Sequence, residues 1–319
     1  MPATPTLAPV TESSQELRRA LTAVDPGRRR KDRAMRGVIY GAFALAMIPL
    51  VSLVWSVLTN GLGRFDLYFL THSMRNVFGG MDAGGVYHAL LGTILITLVT
   101  TLISVPIGIL TAIYLVEYGQ GPLARAVTFF VDVMTGIPSI VAGLFAFALF
   151  YLLVGPTRSG LVGSVALAVL MIPVVIRSTE EMLRLVPHEL REASYALGVP
   201  KWLTIVKVVL RTAVAGITTG VMIAIARVIG ETAPLIITVG VTDSINRNVF
   251  EGNMMTLPVY VYRQYAAGLV PCAPGDASCI ATINYDRAWS AALVLILVVM
   301  LLNLVARGVS RWFAPKTRA

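Results

Sequence analysis

Apolar residues in this chain are gathered into long blocks, with the polar residues collected between them. A bilayer-crossing helix needs ~20 predominantly apolar residues, because the hydrocarbon layer is ~30 Å thick and a helix rises ~1.5 Å per residue. Six blocks fit a crossing: Val38–Leu58, Ala89–Val116, Val133–Val154, Leu161–Ile176, Ala213–Val241 and Ala288–Val305. The fifth is interrupted by a polar island around Arg227 and Glu231. Short alternating strands of the membrane β-barrel kind are absent. The pattern therefore predicts an all-α integral membrane protein, a six-helix bundle over residues 37–312. Residues 1–36 are rich in Pro, Ala, Thr and charge, show no apolar periodicity, and are expected to form a disordered tail. Two further polar connections, 177–212 and 242–287, are too long to be simple turns.

Composition agrees with this placement. Of 319 residues, 56% are hydrophobic and 13% charged, against roughly 25% charged in a soluble domain. A formal net charge of +9 would suit a nucleic-acid partner only on a soluble basic surface, and this chain has little soluble surface; its partner is the lipid bilayer. With the N-terminus inside, 19 of the 26 Lys and Arg residues fall in inner segments and six in outer ones. Under the positive-inside rule both termini are cytoplasmic, in a multi-pass protein of the cell membrane. Arg227 alone is left inside a span. The Arg28–Lys31 run reads as a charge anchor on the inner side. The first apolar block is longer than the ~7–15 residues of a signal-peptide core, so no cleaved leader is expected.

Cys272 and Cys279 are the only cysteines and flank a Pro/Gly-containing stretch of the outer connection. Disulfides persist on that side of the membrane, so Cys272 and Cys279 are expected to close a small disulfide loop, with a pair of free thiols as the alternative. No His lies nearby and the spacing matches no zinc pattern, so no metal is expected. His72, His88 and His188 are scattered and form no constellation. Thr93, Thr97, Thr101 and Ser104 recur at near-helical spacing on the second span. Such hydroxyls serve helix packing more often than a pore. Asp132 falls at the entry to the third span, a position solvated at the interface.

The connection from Arg177 to Arg211 reads as two short helices. Pro187 suits a helix start, where its missing N–H is not needed, and Glu189 and Glu192 then sit in the first turn, favoured by the helix dipole. Gly198 stops this helix and Pro200 opens the next. Leu190, Ala193 and Leu197 fall on one face. From the residues alone, this amphipathic segment either lies on the membrane surface or docks a partner.

Glu192-Ala193-Ser194 followed by Gly198 resembles the coupling loop of ABC importer permeases, Glu-Ala-Ala with a downstream Gly and an Ile-x-Leu-Pro tail. Here the tail reads Val208-Val209-Leu210-Arg211, so Ser194, Val208 and Arg211 depart from the pattern. The resemblance implies a type I permease fold with a cytoplasmic coupling helix. It also implies that Glu192, Ala193, Ser194 and Gly198 are the residues through which a separate ATPase subunit couples.

Arg227 lies ~21 Å along the fifth span, where a charge costs at least ~2.5–3.5 kcal/mol on insertion scales. It must face the bundle interior, water or a partner. Glu231 at i+4 is within pairing reach on a continuous helix. A structural ion pair and a site that handles an anion in transit are both open. Gly230 and Pro234 weaken the helix around Glu231, and a broken helix at membrane depth is tolerated only where it is buried or lines a cavity.

Two segments are more specific. Ala226-Arg227-Val228-Ile229-Gly230-Glu231-Thr232-Ala233-Pro234 and Gly136-Ile137-Pro138-Ser139-Ile140-Val141-Ala142-Gly143-Leu144-Phe145 resemble permease subunits of the bacterial phosphate importer, the Pst system, and most closely the PstA-type subunit. With the coupling loop, the resemblance covers residues 85–240. It implies inward transport of inorganic phosphate driven by ATP. Arg227 and Glu231 would lie on the substrate path. Arg177 would join them, although an ordinary interface anchor suits Arg177 equally. The implied partners are a second, PstC-type permease, a PstB-type ATP-binding dimer and a PstS-type extracytoplasmic phosphate-binding protein. No Gly-x-x-x-x-Gly-Lys-Ser/Thr phosphate loop occurs. The chain is therefore expected to bind no cofactor and to be no enzyme itself, with ATP and Mg2+ used by its partners. Permeation of another oxyanion such as sulfate or molybdate, and an ion-coupled secondary carrier, are the alternatives.

Overall fold

In the computed structural model of the chain, residues 26–313 are described. Residues through Ser56 form one compact unit and Val57 onward a second. Helix α1 (Pro26–Gly61), most of which belongs to the first unit, starts well ahead of the apolar block at Val38. The expected disordered tail is thus helical over 26–36, and its remainder, 1–25, lies outside the described residues. Arg, Lys, Ala and Met are good helix formers and Pro26 is suited to the first position, so an established apolar helix extends readily into this basic segment.

The second unit opens with a one-turn helix α2 (Leu67–Thr71) and then a long helix α3 (Tyr87–Ile113), which ends in a π-helical turn over Tyr114–Tyr118. There follow α4 (Pro122–Thr135), α5 (Ser139–Val154) and α6 (Gly160–Arg184). Two short helices, α7 (His188–Ala196) and α8 (Lys201–Thr204), come next. A π-helical turn over Ile205–Val209 joins α8 to α9 (Leu210–Ile229). The chain closes with α10 (Ala233–Thr238), α11 (Leu257–Ala267) and α12 (Ile283–Phe313). Among the described residues, five helices are long and apolar enough to cross a membrane, or six if α4 and α5, bent by 110°, count as one span.

Three spans differ from their apolar blocks. The third block is broken at Gly136–Pro138, because Pro138 carries no N–H and biases Ile137 away from helical dihedrals. Pro138 itself is extended at ψ 136°. The fourth continues past Ile176 to Arg184. Its charged end is held by Arg177–Glu180 and Glu180–Arg184 pairs at i,i+3 and i,i+4, spacings that stabilise a helix beyond its apolar run. The fifth is helical without interruption from Lys201 to Ile229, breaks at Gly230, and resumes as α10. Arg211, where the resembled pattern has Pro, sits inside that continuous run and keeps its backbone donor.

Helix α6 is the centre of the bundle: 67% of its apolar window is buried, against 28% in α3, α9 and α12. Leu167, Met171 and Val175 pack with Ile96 of α3, with Val228 of α9 and with Leu235 of α10. Small residues let backbones approach, as membrane helix packing requires. A Cβ at Gly92 would lie 2.0 Å from the Met255 carbonyl oxygen, and one at Gly220 would lie 2.6 Å from Ser178. The hydroxyl stripe of α3 faces into the bundle, with Thr93, Thr97 and Ser104 buried. Thr93 donates to the Ala89 carbonyl at 2.8 Å and accepts the Leu257 N–H at 2.8 Å, which fixes the start of α11. Thr93, Thr97 and Thr101 all line an apolar cavity of about 230 Å³ beside Ile225 and Ile229.

At the Tyr87 end of α3, Cys272 and Cys279 are joined in a disulfide. Their loop is tied back on the chain by an Ile280 N–H bond to the Gly80 carbonyl at 2.8 Å. The fully buried Arg287 donates to the Met81 and Ala83 carbonyls at 2.7 and 2.8 Å. Within the loop, hydrogen bonds from Ser278 hold the Asp276 carboxyl below its ordinary pKa.

Candidate functional site

The two signature segments, far apart in the chain, meet in space. Both are helix breaks. The first, Gly136–Pro138, turns α4 into α5; the second, Gly230–Thr232, turns α9 into α10. Gly143 of α5 packs on the second segment so closely that a Cβ there would lie 2.6 Å from Pro234 Cα and 2.9 Å from its carbonyl oxygen. The second break satisfies much of its own backbone: Gly230 N–H donates to the Arg227 carbonyl, Glu231 N–H to Val228, and the N–H groups of Leu235 and Ile236 to Thr232.

Arg227 occupies the last turn of α9, where the helix dipole favours a cation. Its side chain is exposed and makes no ion pair or hydrogen bond with the described residues. The expected i+4 pair with Glu231 is not formed. The helix ends at Ile229, so Glu231 leaves the face that a continuous helix would give it, and it is half-buried in the break. An exposed arginine on an apolar helix does not face lipid at acceptable cost. It faces water or another protein.

Arg177 is in the opposite condition. One guanidinium nitrogen pairs with Asp132 of α4 and the other with Glu180 at 2.8 Å. Glu180, its side chain 8% exposed, also accepts from Arg184 at 2.6 Å. This four-residue network bolts α4 to α6. Asp132 keeps the solvated position expected of it while pairing, whereas Arg177 does not hold a guanidinium open to an anion. A cavity of about 520 Å³ opens beside the network, lined by Arg125, Thr128, Asp132, Glu180 and Arg184 among others.

The charged connection folds as two short helices. Gly198, at φ 77° with nothing near a Cβ, makes the turn between them, a conformation that glycine adopts without steric cost. Pro187 and Pro200 stand immediately before α7 and α8. Glu192, Ala193 and Leu197 are exposed, and Leu190 with them, so the predicted apolar stripe is an open face. Ser194 departs from the partner-facing role expected of it. It is buried, and its hydroxyl is 2.8 Å from that of Thr204 on α8. The motif thus splits between an outward face and an inward one. Arg191 and Glu117, paired at 3.0 Å with side chains 10% and 6% exposed, belong to the inward face. Sequence reasoning missed them; the available signal was a lone glutamate closing an apolar span and an arginine directly before Glu192.

The chain's relatives fit this geometry. It is 47% identical over 292 residues to the phosphate transport system permease protein PstA 1 of Mycobacterium tuberculosis, covering 91% of this chain and 92% of that one. It is 37% identical to PstA of Pasteurella multocida, covering 88% and 94%. The fold resembles a chain of a bacterial alginate ABC transporter, with a TM-score of 0.59 at 14% identity over 88% of this chain and 95% of that one. It also resembles the MetNI methionine ABC transporter, with a TM-score of 0.53 at 22% identity over 72% and 95%. Residues 104–319 match the model of the binding-protein-dependent transport system inner membrane component, and the chain belongs to that family of ABC transporter permeases.

Proposed function

We propose that this chain is the permease subunit of an ATP-driven importer of inorganic phosphate, a multi-pass protein with both termini cytoplasmic. One observation carries the anion: Arg227 is an exposed guanidinium, unpaired among the described residues, at a helix break within a membrane span. A guanidinium presents its donors in a planar fork that matches phosphate oxygens. The choice of phosphate rests on the PstA relatives and on the resemblance carried by the two segments that meet at Gly143 and Pro234.

The exposed side of Arg227 is closed by a second, PstC-type permease, and the anion passes between the two with Arg227 and Glu231 on its route. Arg177, already neutralised by Asp132 and Glu180, holds the inner side of the bundle together. The exposed face of α7, with Glu192, Ala193 and Leu197, docks a PstB-type ATPase subunit that binds and hydrolyses ATP with Mg2+. Closure of that ATPase dimer opens the permease pair outward to a PstS-type binding protein.

Competition uptake into vesicles carrying the assembled complex tests this reading. Arsenate, isosteric with phosphate, is expected to compete; sulfate and molybdate are not. Equal inhibition by sulfate or molybdate overturns phosphate as the substrate.

A further inference from the structure

Helix α7 is mechanically isolated along the chain. Pro187 precedes it, and Gly198 with Pro200 follows it. Neither junction continues a helix, so a push on its exposed face reaches the bundle mainly through its inward contacts. Those contacts are few and strong. Arg191 spends its guanidinium on two different helices: Nε and Nη2 donate to Glu117 Oε1 at 3.2 and 3.0 Å, Nη1 to the Val186 carbonyl at 2.6 Å, and Nη2 also to the Leu183 carbonyl at 2.9 Å. Leu183 belongs to the last turn of α6, and Val186 lies just past its end. Glu117 belongs to the π-helical turn that closes α3, a local irregularity common at functional sites. Lys201 of α8 grips the same turn, donating to the Glu117 carbonyl oxygen and lying 4.5 Å over the Tyr118 ring.

Helix α3 then leads to the break. Its Ile96 and Thr97 line a small enclosed gap with Val228 and Ile229, the two residues that follow Arg227. One helix, running on through Pro106, therefore has its end held by α7 and α8 and its middle against the turn that carries Arg227.

We infer that the buried Arg191–Glu117 pair is the tie through which movement of α7 is passed to α3 and on to the Arg227 break, making both of them positioning residues for coupling. The inference rests on the docking role proposed for α7. Arginine suits the task because its fork holds several acceptors at once in fixed geometry. The pair touches neither the open face of α7 nor Arg227, so losing it should spare both docking and the anion site.

The assembled complex in vesicles tests this, with phosphate uptake and ATP hydrolysis measured together and assembly read by co-purification of the ATPase subunit. The parent complex comes first: failure to take up phosphate there defeats the substrate reading and is distinct from any effect of the tie. In Glu117→Gln and Arg191→Gln, phosphate moved per ATP hydrolysed is expected to fall tenfold or more while the ATPase subunit still co-purifies. An unchanged ratio in both variants overturns the inference. Should either variant fail to assemble, a Glu117→Cys, Arg191→Cys chain bridged by a short thiol crosslinker decides: crosslinking is expected to restore uptake per ATP. Restored assembly with uptake still lost overturns the tie.

Discussion

Two arginines of the membrane helices sit in opposite chemical states. Arg177 of α6 is held by Asp132 and Glu180, and Glu180 by Arg184 as well. Arg227 of α9 is exposed and holds nothing among the described residues. The first is spent on structure, joining α4 to α6 across the chain. The second keeps its donors available, at a position where burial of a charge without a partner is costly. That contrast separates the two roles better than depth in the membrane does. A guanidinium that already has two carboxylates gains little from a passing anion, whereas one without a carboxylate partner keeps its donors free for one, as the proposed transit role requires.

The largest effect should come from the unpaired member. Hydrogen bonds to a charged group contribute about 1.5–3 kcal/mol, roughly a tenfold to hundredfold change. Arg227→Gln is therefore expected to lower phosphate uptake at least tenfold, and Arg227→Lys to fall between, keeping charge but losing the fork. Both should purify with the complex and unfold at the parent temperature, because no internal contact of the Arg227 side chain is lost. Uptake at the parent level in Arg227→Gln would sink the transit role.

The paired member predicts the reverse pattern. Glu180 serves two arginines from a buried position, and losing hydrogen bonds to a charged group costs about 1.5–3 kcal/mol, with solvent screening the share of the more exposed Arg184. Glu180→Gln should lower the unfolding midpoint of the purified chain clearly. Surviving complexes should retain much of their uptake, since no group on the proposed path is changed. A Glu180→Gln chain that unfolds like the parent yet no longer transports would move the network from structure onto the path.

How much of this was legible follows from the distance over which each feature is decided. The spans were readable because a run of apolar residues at Val38 or Ala288 needs only its own composition to be a membrane helix. Gly198 and Pro200 were readable for the same local reason. The Gly136–Pro138 bend was not, because the apolar run continues on both sides and only the proline's missing N–H marks it. The Arg227–Glu231 pair failed because i+4 geometry holds only while the helix lasts, and it ends at Ile229. Asp132 and Arg177 are 45 residues apart, and Arg191 and Glu117 are 74 apart. Those pairings belong to tertiary packing, which no local pattern encodes. Ser194 was assigned by its place in a motif, whereas its direction is set by Thr204.

The smallest effect tests how far the network's strength is shared. Asp132 is the exposed partner in it, its side chain 60% accessible against 8% for Glu180. Solvent screens its attraction to Arg177, and exposed pairs contribute about 0–1 kcal/mol. Arg177 retains Glu180 when Asp132 is lost, so Asp132→Asn leaves no buried charge without a partner. Its unfolding midpoint should stay close to the parent's and its uptake should be unchanged, far from the outcome for Glu180→Gln. A destabilisation as large as that of Glu180→Gln would mean that the α4–α6 contact, rather than Glu180, holds the charges in place. The bend at Gly136–Pro138 would then depend on a single surface carboxylate. Equal and small effects from both would instead remove the contrast between a spent arginine and a free one, leaving Arg227 distinguished only by its place at the break.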